Sequence, residues 1–106
     1  MSGPESWPAY AMTDAEEVRA YYDAVTDRVR DLLDELARHP DLRRTYPEIE
    51  SALGWNALSV RATLAAGTRR VGRQFGERRP FHLCEDRRSP TGRWEIWMDA
   101  TQAAAL

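Results

Sequence analysis

Between residues 13 and 39, apolar and aromatic side chains recur at Val18, Tyr22, Val25, Val29, Leu32 and Leu36, in alternating steps of four and three, with Tyr21 and Leu33 widening the stripe. That spacing keeps one face of a helix apolar and predicts a long amphipathic helix. Thr13-Asp14-Ala15-Glu16 reads as its capping box, and His39-Pro40 ends it, since the residue before proline is pushed out of helical geometry. A helix of roughly 25 residues would run about 37 Å, longer than a globule of this size, so part of the seam is expected to pair with a second copy. Val18, Tyr22, Val25, Val29, Leu32 and Leu36 are the expected dimer contacts, and packing on the chain's own domain is the alternative.

The pattern then shortens. Thr45-Tyr46-Pro47-Glu48 repeats the capping motif, and Ile49, Ala52 and Leu53 share a face before Gly54, which suits the position just past a helix end. Asn56 is the expected cap of a further helix in which Val60, Leu64, Gly67 and Val71 align and Phe75 continues the row. Gly67 weakens that helix, and a close helix contact is one reason to keep it. Past Gly76 the period falls to two: Phe81 and Leu83 share one face, as do Trp94, Ile96 and Met98, predicting an antiparallel hairpin across the polar stretch EDRRSPTG. Residues 1–12 lack periodicity and read as a flexible arm. Residues 100–106 read as a tail or a short helix capped from Asp99.

Composition adds a division along the chain. The 106 residues carry a net charge of −2, yet the segment through Asp41 holds ten acids against four arginines and the remainder holds eleven arginines against seven acids. A basic surface on the second part follows. All fifteen basic residues are arginine, a bias that a GC-rich genome also produces, so their type carries no weight.

Enzyme chemistry finds no foothold. His82 and Cys84 lie two apart on one strand face, but a structural zinc site needs four ligands and no second pair appears. No nucleophile sits in a recognisable elbow and no glycine-rich loop opens a helix. Neither metal nor cofactor is expected. The opening MSGPESWPAYAM carries neither the basic region nor the apolar stretch of a signal peptide, and no long apolar run occurs, so a cytoplasmic protein off the membrane is expected.

Two short helices joined at a glycine, the second followed by a hairpin, resemble a winged helix-turn-helix of the bacterial transcription-regulator type over residues 42–99. Ile49, Leu53, Gly54, Trp55 and Val60 stand at the distances that motif uses to pack its helices crosswise. Glu50 departs from it, since alanine is usual there, and so does Thr63, where a bulky apolar residue is usual. The resemblance implies an α+β, mostly helical fold with a long N-terminal helix and a C-terminal β-hairpin wing. It also implies a homodimer on duplex DNA, as a transcriptional regulator or nucleoid-associated protein, with the second motif helix in the major groove. Carried over, Asn56, Ser59 and Arg61 would reach base edges, Thr45 and Tyr46 would hold a phosphate, and Arg87, Arg88 and Arg93 would line the wing. The alternative is a winged-helix module that binds another protein and no DNA.

Overall fold

The computed structural model describes residues 11–56, 58–85 and 94–106, with the side chains of Thr68, Arg70 and Glu85 excepted. Among the described residues, five α-helices enclose one core against a three-stranded antiparallel sheet, an α+β arrangement. Where one long helix is predicted there are two, α1 (Ala15–Ala24) and α2 (Asp27–Arg38), separated by extended backbone at Val25 and Thr26. The break is held by Arg30, which donates from Nε to the Tyr22 carbonyl at 2.9 Å and from Nη2 to the Asp23 carbonyl at 2.9 Å. These are carbonyls that the end of α1 would otherwise leave unpaired. The Tyr22 hydroxyl also reaches Asp34 Oδ2 at 3.2 Å. In an unbroken helix their Cα atoms would lie about 18 Å apart, beyond a tyrosine's reach. The first cap is Asp14, one residue later than Thr13, with its carboxylate accepting the Glu16 N–H.

The break changes what the seam does. Val18, Val25, Val29, Leu32 and Leu36 are all buried inside a single chain, together with Tyr21 and Leu33, and Tyr22 is half-buried against them. In the single chain the seam meets its own core, the alternative to a subunit contact, and each buried side chain gains about 1.5–3 kcal/mol there. α2 runs through the middle, touching α3, α4 and α5. Residues 11 and 12 are not part of a loose arm either. Ala11 forms a parallel bridge with Arg79, the Met12 N–H donates to the Arg79 carbonyl, and Met12 is fully buried. Residues 1–10 lie outside the described residues.

β1 (Arg44–Thr45) and α3 (Tyr46–Leu53) follow, then α4 (Val60–Val71), a 3-10 turn (Arg73–Phe75), β2 (His82–Glu85), β3 (Trp94–Trp97) and α5 (Ala100–Ala104). The sheet order is β1-β3-β2, with Leu83 opposite Ile96 and Arg44 on the other side of that same Ile96. The predicted alternation holds: Phe81, Ile96 and Met98 are buried, Leu83 packs partly against the core, and Trp94 is half-buried. Asp99 and Gln102 form the capping box of α5, and Gln102, fully buried, donates to the Met12 carbonyl at 2.8 Å.

Candidate nucleic-acid interface

The capping motif at Thr45 forms as the sequence predicts. The Glu48 N–H donates to Thr45 Oγ1, and Glu48 Oε1 accepts from the Thr45 N–H at 2.8 Å, which starts α3 with Pro47 in its first turn. Gly54 ends the helix in left-handed geometry, φ 69°, and its own N–H and that of Trp55 return to carbonyls of the last turn.

The second helix starts later than expected. Asn56 lies exposed in the turn and caps nothing; the cap of α4 is Ser59, whose Oγ accepts the Ala62 N–H at 3.0 Å. Asn56, Leu58 and Ser59, placed on the expected recognition helix, thus lie ahead of it. The two departures from the helix-turn-helix pattern both have structural work. Glu50 Oε2 accepts the Val60 N–H at 2.8 Å, bringing a carboxylate to the positive end of α4. Thr63 is buried, with its hydroxyl donating to the Ser59 carbonyl at 2.8 Å and its methyl left for the core. Gly67 is the point where α4 crosses α2: an added Cβ would stand 3.2 Å from Val29 Cγ2.

α4 therefore has two working flanks. Ser59, Ala62, Thr63, Ala66 and Gly67 line a broad groove of about 600 Å³ toward Val25–Val29. Arg61, Leu64 and Ala65 line a smaller cleft of about 340 Å³ toward the sheet, closed by Tyr46, Arg79, Phe81, Leu83 and Trp94. Of the expected DNA contacts, the fold brings Tyr46 and Arg61 together in that cleft and leaves Ser59 on the opposite flank. Thr45 lies half-buried, its hydroxyl already bonded to Glu48 at 3.0 Å. Arg87, Arg88 and Arg93 lie outside the described residues. Burial pushes the Tyr46 phenol above its ordinary value, opposed by the charges of Arg79 and Arg61.

Among the described residues, the arginines divide by partner. Arg19 pairs with Asp23, Arg30 with Asp27, Arg38 and Arg44 with Glu35, Arg43 with Glu95 and Arg78 with Glu17. No described carboxylate lies within ion-pair distance of Arg61, Arg69, Arg73 or Arg79, a run that starts on α4 and ends at the entry to β2. No family model matches this chain, and neither a curated protein nor a solved structure matches it. The site is therefore argued from its own geometry.

Arg79 is the residue sequence reasoning underused, grouping it with the arginines at the helix end. Its Nε is buried with no hydrogen-bond partner, a situation that costs a charged donor about 1–3 kcal/mol or more. The available signal was the pairing of Arg79 with Pro80 just before a strand, which fixes where the side chain leaves the backbone. His82 and Cys84 are accounted for differently. His82 Nε2 lies 2.9 Å from Asp99 Oδ2 and its ring stacks on Trp97, while Cys84 is half-buried on the same strand. Among the described residues no three of His, Cys, Asp and Glu come together as a metal site, and no helix is long and apolar enough to cross a membrane.

Proposed function

We propose that this chain is a winged helix-turn-helix protein that binds duplex DNA, with the exposed flank of α4 toward the major groove. The observation that carries the reading is the run of Arg61, Arg69, Arg73 and Arg79 without described carboxylate partners, in a fold where most other described arginines are paired. Guanidinium groups left unneutralised on one stretch are what phosphate anchoring needs. The connectivity supports the same reading: β1 leads directly into α3, pairs with β3, and so ties the two-helix unit and the hairpin into one block. Base reading would be sparse, since among the described side chains Arg61, Ala62, Ala65, Ala66 and Arg69 are the exposed ones of α4 and of these the arginines alone carry donors. One protomer supplies these contacts, and its Val18, Val25, Val29, Leu32 and Leu36 are buried in its own core.

The test is binding to duplex genomic fragments at two salt concentrations. Affinity should fall with salt, with a log–log slope of about −0.9 per phosphate contacted, and replacing Arg61 and Arg69 by alanine should flatten the slope by about two contacts. No binding even at low salt overturns the proposal. The Glu50 carboxylate at the start of α4 favours the second reading, a protein-binding module, because it repels a phosphate where one would approach. Glu50→Gln separates the two: on the DNA reading it tightens duplex binding, and an unchanged or weaker affinity favours a protein partner.

A further inference from the structure

We infer that the cleft between α4 and the sheet is a binding site for a small aromatic carboxylate. Its cationic end is already built. Arg79 is fixed at the backbone by the Met12 N–H, which donates to its carbonyl at 2.6 Å, and by the buried Pro80 that follows. Its side chain lines the cleft with Nε shut off from water and no described carboxylate in ion-pair reach, so the charge is positioned before any ligand arrives and its terminal nitrogens are what a ligand would meet. Arg61, exposed on the rim, supplies a second guanidinium, and the two charges act on the same Tyr46 phenol.

The rest of the lining is apolar: Leu64, Ala65, Phe81, Leu83 and Trp94, with the Tyr46 ring. About 340 Å³ falls at the low end of the roughly 300–1,000 Å³ usual for small-molecule sites. An inorganic anion would satisfy Arg79 and leave the apolar walls wet. A neutral hydrocarbon would cover the walls and leave Arg79 unpaired. A flat ring bearing one carboxylate does both, stacking beside Trp94 or Phe81 while its two oxygens meet the forked donors of a guanidinium.

Binding of such a ligand does not depend on the DNA reading. If that reading holds, the ligand would occupy Arg61 and weaken the grip of α4 on phosphate, since Arg61 and Ala65 belong to both surfaces. Titration calorimetry in the absence of DNA tests the site with naphthoate, naphthylmethanol and acetate. Naphthoate should bind saturably at one per chain, and naphthylmethanol and acetate should each bind at least about tenfold more weakly. Arg79→Gln should weaken naphthoate by a similar factor, with the melting temperature checked alongside. Ala65→Phe, on an exposed helix face that folds independently of the cleft's contents, should fill the space and abolish binding even if Arg79→Gln proves unstable. Equal affinity for naphthoate and naphthylmethanol overturns the inference. So does naphthoate binding that Ala65→Phe leaves intact, or none at millimolar concentration; because no DNA is present, each of these outcomes leaves the DNA proposal standing.

Discussion

Glu35 offers the sharpest test of how the fold is held. Its side chain is 9% exposed and receives Arg44 Nη1 at 2.9 Å and Arg38 Nη1 at 3.0 Å. The two arms differ in worth. Arg38 is 63% exposed, so its pairing contributes no more than about 1 kcal/mol, whereas Arg44 is only 12% exposed and is held out of water. Glu35→Gln keeps the shape and one acceptor oxygen but removes the charge that Arg44 faces. Arg44 is then left with neutral acceptors alone, the amide oxygen and the backbone carbonyl of residue 35 at 3.3 Å, with its Nε already unpartnered. The expected loss is about 2–3 kcal/mol, below the about 3–5 for outright removal of a buried partner. At about 4–8 °C per kcal/mol for a domain near this size, the melting temperature should fall by about 10–20 °C.

The pH dependence gives an independent check. Burial alone would raise the Glu35 carboxyl, but the hydrogen bonds from Arg44 and Arg38, with the charges of Arg44 and His39, bring it below its ordinary value. A carboxyl lowered by folding contributes stability that is fully present above its unfolded value, about 4.3, and is lost as pH falls through the folded one. The cost of Glu35→Gln, read from urea midpoints, should therefore be largest at pH 7 and shrink at pH 3. A loss under about 0.5 kcal/mol at neutral pH, or an equal loss at both, would refute the assignment. So would the absence of coupling with Arg44→Met in a double-mutant cycle.

Two further substitutions test local geometry. Gly54→Ala places a side chain at φ 69° with open space around it, so only the backbone penalty of about 1–2 kcal/mol should appear, and Gly54→Asn should recover part of it; thermal melts of the three proteins would show the order. Gln102→Ala removes half of the α5 capping box and strands the Met12 carbonyl, and should cost about 1–3 kcal/mol with faster amide exchange in α5; unchanged protection there would contradict the contact.

The elements that sequence patterning predicts correctly are those whose signals are local. The Thr45 to Glu48 box, the Gly54 turn, the pairing of the two alternating runs and the Asp99 cap each need only a few adjacent residues. Periodicity could not see the break at Val25 and Thr26. Both halves of the seam turn toward one core, so the apolar spacing runs on unchanged while the backbone does not, and the stabilising donor, Arg30, looks like any solvated helix arginine. The start of α4 was misplaced for a related reason. Asn56 and Ser59 are both good caps, and the choice between them rests on Glu50, ten residues before Val60, reaching its N–H. Glu35 was legible only as one of many helix acids, because its burial depends on Arg44 arriving from the strand β1 that the pattern does not announce.

The break also explains how the charge division along the chain becomes a surface. Folding α1 back brings Tyr21 against Phe75, ring centres 5.3 Å apart, and buries Val18, for about 3–6 kcal/mol that an extended helix would leave in water. In the same movement Glu17 comes to Arg78, while Glu35 on α2 takes Arg44, so acids from the N-terminal segment neutralise arginines from the second part of the chain at the places where the two segments meet. Among the described residues, what they do not reach is Arg61, Arg69, Arg73 and, at the cleft, Arg79. Glu48 and Glu50, the acids that precede that stretch, are bonded to the backbone amides that start α3 and α4, and Glu77, which lies within it, makes no ion pair with any of these arginines among the described residues. The charge division along the chain is therefore partly cancelled by the fold: Glu17 and Glu35 neutralise Arg78 and Arg44 where the two segments pack, while Arg61 and Arg79 meet at the cleft with no described carboxylate in ion-pair reach.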